Sequence, residues 1–384
     1  MAVALFVAFW STTAAAYPWM LKHGYAACAS CHVDPSGGEL LNGYGRVQGY
    51  TLLTAKYGAV RNAPDDPLWG VLPLPGPLAL GGSYRHLSVI KPGAEDKFAT
   101  FPMQADLYAG VTSEWFAAGG SIGAAKVPAG SPHARAAQVT SGQGDDLNLI
   151  SRTHWLGIVL GPRAMLRGGR INLPFGLRIP DHTFWVRDAT RTDRESDQQH
   201  GLSAVYSGER WRGELMMVFG NYQIRPDRYR ERGYSAFFEW ALADRVTLGT
   251  SSLTTRAFAD RLTLEPTPTT RQAHGLFSRM APTKSLFLQT EFDVLMISRS
   301  SPGYVGLIAF DFEPVQGVHL LLDGEVLDRG KPDGVEASRG GGEPRFGGWF
   351  GFEYYFLPQM NMRLDAVVRQ DDPFTLLSQL HVYL

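Results

Sequence analysis

From residue 78 onward the chain alternates between apolar and polar positions. In "LFLQTEFDVLM", Leu288, Thr290, Phe292, Val294 and Met296 share one side, and Gln289, Glu291 and Asp293 share the other. "MNMRLDAVV" sets Met360, Met362, Leu364, Ala366 and Val368 against Asn361, Arg363 and Asp365. "VHLLLDGEV" sets Val318, Leu320, Leu322 and Val326 against His319, Asp323 and Glu325. Successive side chains of a strand point to opposite faces, so each run has an apolar face and a charged one. Charges at this spacing are expected to face water. A soluble sandwich would have to bury its apolar faces against each other. Gly- and aromatic-rich strands of about ten residues are instead the pattern of a barrel whose apolar face meets lipid.

Sixteen such runs fit between residues 78 and 384, and the connections between them alternate in length. "GPR", "LADR", "APTK", "EPVQ" and "LPQ" are tight, while the intervening ones are mostly longer, up to residues 172–201. Short turns on one side and long loops on the other predict an all-β, transmembrane antiparallel β-barrel of about 16 strands. Closure leaves no strand edge unpaired, which lipid would otherwise penalise. Of the longer connections, residues 181–200 are polar with mixed charge and read as a solvated outer loop. Residues 225–232, "RPDRYRER", are basic and read as lying against anionic lipid headgroups.

Composition agrees with strands and turns. The 384 residues include 43 Gly, 21 Phe, 15 Tyr and 9 Trp, and the net charge is −1, so no broad basic surface suggests nucleic acid. Nothing beyond the N-terminus approaches the roughly 20 apolar residues that a spanning helix needs. Residues 1–16 read as a signal peptide, with an apolar run and the small residues Ala14, Ala15 and Ala16 at its end. Export follows from it. Residues 17–61 form a separate block, 62–77 a Pro-rich linker and 78–384 the barrel.

The N-terminal block holds the only two cysteines, in "CASCH": Cys28, Cys31 and then His32. A thioredoxin-type dithiol needs a βαβ context that the sequence does not offer. A zinc site needs four ligands and would have to borrow distant histidines. Covalent haem c uses every residue: Cys28 and Cys31 form thioethers to the vinyl groups, and the His32 imidazole is the proximal iron ligand. Attachment takes place outside the cytoplasm, in agreement with export. Candidates for the distal ligand are His23, Met20, His319 and His381. A segment of some 45 residues is too short to cover a haem alone. It is therefore expected to pack as a plug into the periplasmic mouth or lumen of the barrel.

Leader, single CxxCH and barrel together resemble the outer-membrane porin–cytochrome fusion family, which includes iron-oxidising outer-membrane cytochromes. The resemblance covers the whole chain in architecture, and Cys28, Cys31 and His32 in detail. It implies a single haem that takes an electron from an extracellular donor, for example Fe(II), and passes it to periplasmic cytochromes. Outer-membrane lipid, an extracellular donor or acceptor and periplasmic carriers would be the partners. The residues alone leave two other readings open. One is a solute channel with the haem segment as plug or sensor, where charges such as Arg170, Arg363, Glu291 and Asp293 set selectivity. The other is a haem enzyme with an open sixth position.

Overall fold

The structure, a computed structural model, describes residues 18–55, 65–95, 97–126, 147–179, 181, 183–224, 227–260, 266–331, 342–370 and 372–384. The proposed leader and part of the Pro-rich linker lie outside the described residues. Seventeen strand segments follow in order. They begin with β1 (Leu78–Ile90), β2 (Phe98–Thr112), β3 (Phe116–Lys126), β4 (Leu147–Ile150), β5 (His154–Val159) and β6 (Ala164–Ile171). After a long connection come β7 (Gln199–Ser207), β8 (Trp211–Gly220), β9 (Arg232–Ala243), β10 (Val246–Ala257) and β11 (Thr269–Met280). The last six are β12 (Leu286–Ile297), β13 (Gly303–Val315), β14 (Val318–Asp328), β15 (Arg345–Leu357), β16 (Met360–Arg369) and β17 (Thr375–Tyr383). β1 pairs with both β2 and β17, the latter from Ser83↔Tyr383 to Ile90↔Leu376, so the sheet closes on itself.

β4 and β5 both pair with β3 and are two halves of one stave, giving the sixteen that the alternation predicts. They part at a bulge. Gly120 faces His154 and Gly123 faces Ile150, so three residues oppose two. The Ser121 hydroxyl accepts the freed N–H groups of Arg152 and Thr153, both at 3.1 Å. An extra residue of this kind re-aims side chains. Here the Arg152 side chain is buried, with Nε 2.8 Å from Asp106.

The two faces of the wall divide as the pattern requires. On β12, Phe292 and Val294 are exposed while Glu291, Asp293 and Leu295 are buried; on β16, Met362, Leu364 and Val368 are exposed while Asn361, Arg363 and Asp365 are buried. Exposed Leu107, Leu156, Leu215, Leu276, Leu322 and Phe350 continue the apolar belt around the outside. Trp115, Trp211 and Trp240, also exposed, stand near the rim of tight turns, where aromatic girdles belong.

The inside differs from the expectation that strand charges face water. They are buried, and many are paired. Glu239 accepts from Arg212 at 2.5 Å and from Arg279 at 2.7 Å, and Glu214 accepts from Arg167 at 2.6 Å and Arg178 at 2.9 Å. The physical cause is that two chain segments fill the lumen and displace its water. Residues 172–198, between β6 and β7, fold inward, and residues 18–55 enter from the tight-turn end.

The inward fold of residues 172–198 corrects the reading of 181–200 as a solvated loop. Phe175, Leu177, Ile179, Phe184, Trp185 and Val186 form one apolar cluster with wall residues such as Met216, Phe237, Leu253 and Val305. A short helix, α2 (Trp185–Thr190), crosses to the far wall and contacts β12, β13 and β14. In the described part of the basic loop, Asp227 pairs with Arg230 at 2.8 Å and Arg232 at 2.7 Å, and Glu231 is buried against Arg271 at 2.7 Å. Arg228 stays exposed, so the loop keeps a positive surface.

Candidate functional site

The "CASCH" stretch is one helical turn. The N–H groups of Cys31 and His32 both donate to the Cys28 carbonyl at 3.1 Å. The chain then reverses through residues 34–39 and returns beside itself, with His32 bridged to Leu41. Asn42 holds the return: its side-chain N–H donates to the Ser30 carbonyl at 3.0 Å, and its side-chain oxygen caps the helix α1 (Gly43–Gln48) by accepting from Gly45. Two glycines permit the closeness. A Cβ on Gly45 would lie 2.2 Å from the Cys31 carbonyl oxygen, and one on Gly37, where φ is +81°, would lie 2.7 Å from Cys28 Cβ.

Both cysteines are buried and not joined in a disulfide. Burial raises the Cys31 thiol to about 12. Cys28 is desolvated too, but the guanidinium groups of Arg212, Arg178 and Arg279 outweigh that and hold it below its ordinary value. Arg212 Nη1 donates to the Cys28 sulfur at 3.1 Å. His32 donates through Nδ1 to the Gly38 carbonyl at 2.8 Å, an assignment the carbonyl forces because it can only accept. Burial and the nearby Arg194 lower this imidazole to about 4, so it stays neutral at physiological pH. Its Nε2 is buried and has no hydrogen-bond partner among the described residues.

Cys31 and His32 border a cavity with about 1180 Å³ of empty space, its open mouth included. Met20, Leu41, Leu53 and Leu384 give it apolar walls, and Arg85, Arg152, Arg178 and Arg194 give it cationic ones. Glu39 also lines it, with a carboxyl that burial pushes up to about 7.

Of the four distal candidates, Met20 and His381 share this cavity with His32. His381 Nε2 is within 3.0 Å of the Ser83 hydroxyl. The other two lie elsewhere. His23 is exposed in a separate opening at the tight-turn rim, beside Lys22 and Arg245. His319 is buried under Trp19, with ring centroids 4.5 Å apart, and its Nδ1 bonds Asp311 at 2.8 Å. The parity that turns His319 inward was legible, but the Trp19 ring that covers it comes from another part of the chain.

The cavity's arginines come from several elements, and only spatial packing unites them. Arg85 lies on β1, Arg152 in the bulge, and Arg178 and Arg194 on the in-folded segment. No motif marks them. Nor do the charges named for selectivity line an open pore. Glu291 is bound by Arg187 and by the Leu177 N–H at 2.9 Å, and Arg363 by Asp181 and Asp365 at 2.6 and 2.9 Å. Arg170 is buried, with Nη2 3.3 Å from Gln198 Oε1. Asp293 lies beside Glu291, fully buried.

Sixteen closed staves, short turns on one rim and a long connection folded into the lumen define a porin-like β-barrel. No protein-family model and no curated protein sequence matches the chain. Among solved structures it is similar to OmpT of Vibrio cholerae in its trimer form, at 11% identity and TM-score 0.59, covering 80% of this chain and 99% of that one. It is also similar to Salmonella typhi OmpF (10% identity, TM-score 0.55, 80% and 97% covered). A mutant Rhodopseudomonas blastica porin gives 10% identity and TM-score 0.51, with 80% and 100% covered. At such identities the likeness is one of fold.

Proposed function

We propose that the protein is an electron-transfer barrel of the bacterial outer membrane, carrying one haem c in its lumen. The observation that carries this reading is the His32 Nε2, a buried lone pair without a partner among the described residues, beside a cavity walled by leucines and arginines. The residues fit the group. Cys31 and His32 face the cavity, and Cys28 stands one helical turn back. A bound haem would supply a one-electron couple, attached through Cys28 and Cys31 with His32 on the iron.

The chain's own contribution is orientation and insulation. The Gly38 carbonyl fixes the His32 tautomer and leaves Nε2 with its lone pair, as second-shell acceptors of ligating histidines do. The four arginines offer charge-assisted hydrogen bonds to carboxylates, such as the two propionates of haem. Met20, Leu41 and Leu53 give the cavity apolar walls, and Met20 and His381, which line it too, are the candidates that could supply a distal ligand. The tight-turn rim, with residues 18–55, faces the periplasm and its cytochromes. The long connections face an extracellular donor or acceptor.

The test uses the full chain purified into liposomes. A c-type absorbance band that responds to a membrane-impermeant reductant added outside is the expected result. A protein without covalent haem, or with haem that never responds, would overturn the proposal. A second reading, a solute-conducting porin plugged by residues 18–55, is supported by the fold it shares with porins. Ion conductance in planar bilayers, unchanged by reduction, would favour it.

A further inference from the structure

The tight turns of the barrel fall into two groups. Those joining β5 to β6, β7 to β8, β9 to β10 and β11 to β12 each carry a cation within two residues of the returning strand: Arg163, Arg210, Arg245 and Lys284. The others carry none. Ser113, Glu114 and Trp115 join β2 to β3, Gln316 and Gly317 join β13 to β14, and Pro358 and Gln359 join β15 to β16. Consecutive staves are neighbours in the closed sheet, so the four cations form one arc along the rim.

The chain itself covers two of the uncharged turns. Gln316 Nε2 donates to the Thr51 and Thr54 carbonyls at 2.9 and 2.7 Å, and Trp69 Nε1–H donates to the Pro358 carbonyl at 3.3 Å. The basic arc instead borders an open mouth, with about 2500 Å³ of empty space, its open face included. All four cations line this mouth, and so do Ala27, Ala29 and Ser30 of the cysteine-motif turn. Cys28, between them in the chain, is buried, and Arg212, which donates to its sulfur at 3.1 Å, lines the mouth as well. The open part of the rim is thus the part that is both basic and next to the motif.

The acids of the arc are Glu209 and Asp244, which leaves two positive charges in excess. Glu209 is taken by Arg163. Arg210, Arg245 and Lys284 have no carboxylate partner among the described residues, and Arg210 and Lys284 are exposed. Deeper in, the charges are balanced: Arg212 meets Glu239 at 2.5 Å and Lys22 meets Glu313 at 2.9 Å.

We propose that this arc is the docking surface for an acidic electron carrier, a small soluble protein with carboxylates around its redox centre. The inference rests on the electron-transfer reading and adds the partner's chemistry and its seat. Opposite charges steer such an encounter and fix its orientation. Tunnelling falls off exponentially with distance, and seating over the open mouth brings the carrier against the turn that holds Cys28.

The probe is a basic soluble cytochrome c, compared with the same protein partly succinylated so that it is anionic. The two share one redox centre and differ in charge. Each is titrated by calorimetry into the full chain in uncharged detergent. The anionic form is expected to bind at least about ten-fold more tightly, and less so as salt is raised. Arg210→Gln, Arg245→Gln and Lys284→Gln combined should remove about that ten-fold advantage, whereas Arg228→Gln, exposed in the long connection before β9, should bind as the wild type does. Equal binding of the two forms, or an unaltered triple variant, overturns the proposal. Should the triple variant misfold, Asp244→Asn decides: removing an acid from the arc tightens binding of the anionic form, and unchanged or weaker binding overturns the proposal. Phosphatidylglycerol retained in native mass spectra and lost from the triple variant, with no effect on the cytochrome, would assign the arc to headgroups and equally overturn it. The haem absorbance band is recorded on the same samples. A chain with haem but no charge-dependent binding refutes the docking surface alone, and a chain without haem refutes the reading beneath it.

Discussion

The two segments inside the barrel fill it in opposite ways. Residues 172–198 bring their own core: a row of alternate apolar residues, then α2, anchored where Glu325 accepts the Trp185 N–H at 2.5 Å and Trp349 Nε1–H at 2.6 Å. Residues 18–55 have a smaller apolar base, around Trp19, Met20, Leu21 and Leu53. The rest is held by polar reach, such as Arg167 to Asp34 at 2.5 Å and Gln316 to the Thr54 carbonyl at 2.7 Å. Both border the cavity beside the cysteine motif, the first through Arg178 and Arg194 and the second through Met20 and His32. The first brings an apolar core into the lumen, and the second brings the cysteine motif to the edge of its cavity.

The largest test of this contrast is Cys28→Ala with Cys31→Ala. Covalent haem should be lost completely on denaturing gels while the barrel still folds; a barrel that collapses would make residues 18–55 structural filler as well. Next is Arg187→Ala, which strands the buried Glu291 carboxylate. Breaking a buried pair costs about 3–5 kcal/mol. The in-folded segment should then loosen, seen as faster proteolysis between residues 172 and 198 and larger ion conductance. Unchanged conductance would show that α2 is not what fills the lumen.

Gly45→Ala probes the other segment. A methyl group forced against the Cys31 carbonyl should cost about 1–3 kcal/mol, the usual range for overpacking. Haem content per protein should fall, with no change in proteolysis of residues 172–198. Glu325→Gln is the mildest. Its one amide oxygen can keep the Trp185 N–H, but the Trp349 Nε1–H then faces an NH2 group and the charge opposite Arg369 at 2.7 Å is lost. A loss of about 1 kcal/mol is expected, measured as a small shift in thermal unfolding.

The wall was readable from the sequence because lipid imposes a period of two on one face of every stave, as in Leu288, Phe292 and Val294. The interior was not, because its partners are remote. Glu291 is met by Arg187, 104 residues earlier, and Lys22 by Glu313, 291 residues later. Residues 181–200 misled because Arg187 and Arg191 look solvated until their acids are known. The apolar trio Phe184, Trp185 and Val186 was the available signal. At the cysteine motif, spacing picks out Cys28, Cys31 and His32, and the fold adds what spacing cannot show: the Gly38 acceptor and the arginine walls.

The bulge at Ser121 sets no electron or ion in motion, but the seam between β1 and β17 bears on assembly. Leu384 and Gly82 exchange both backbone hydrogen bonds there, at 2.8 and 3.3 Å, and Arg46 reaches the Leu80 carbonyl from inside. Residues 18–55 thus touch the wall at the seam where the sheet closes, so seating that segment and closing the barrel are coupled events.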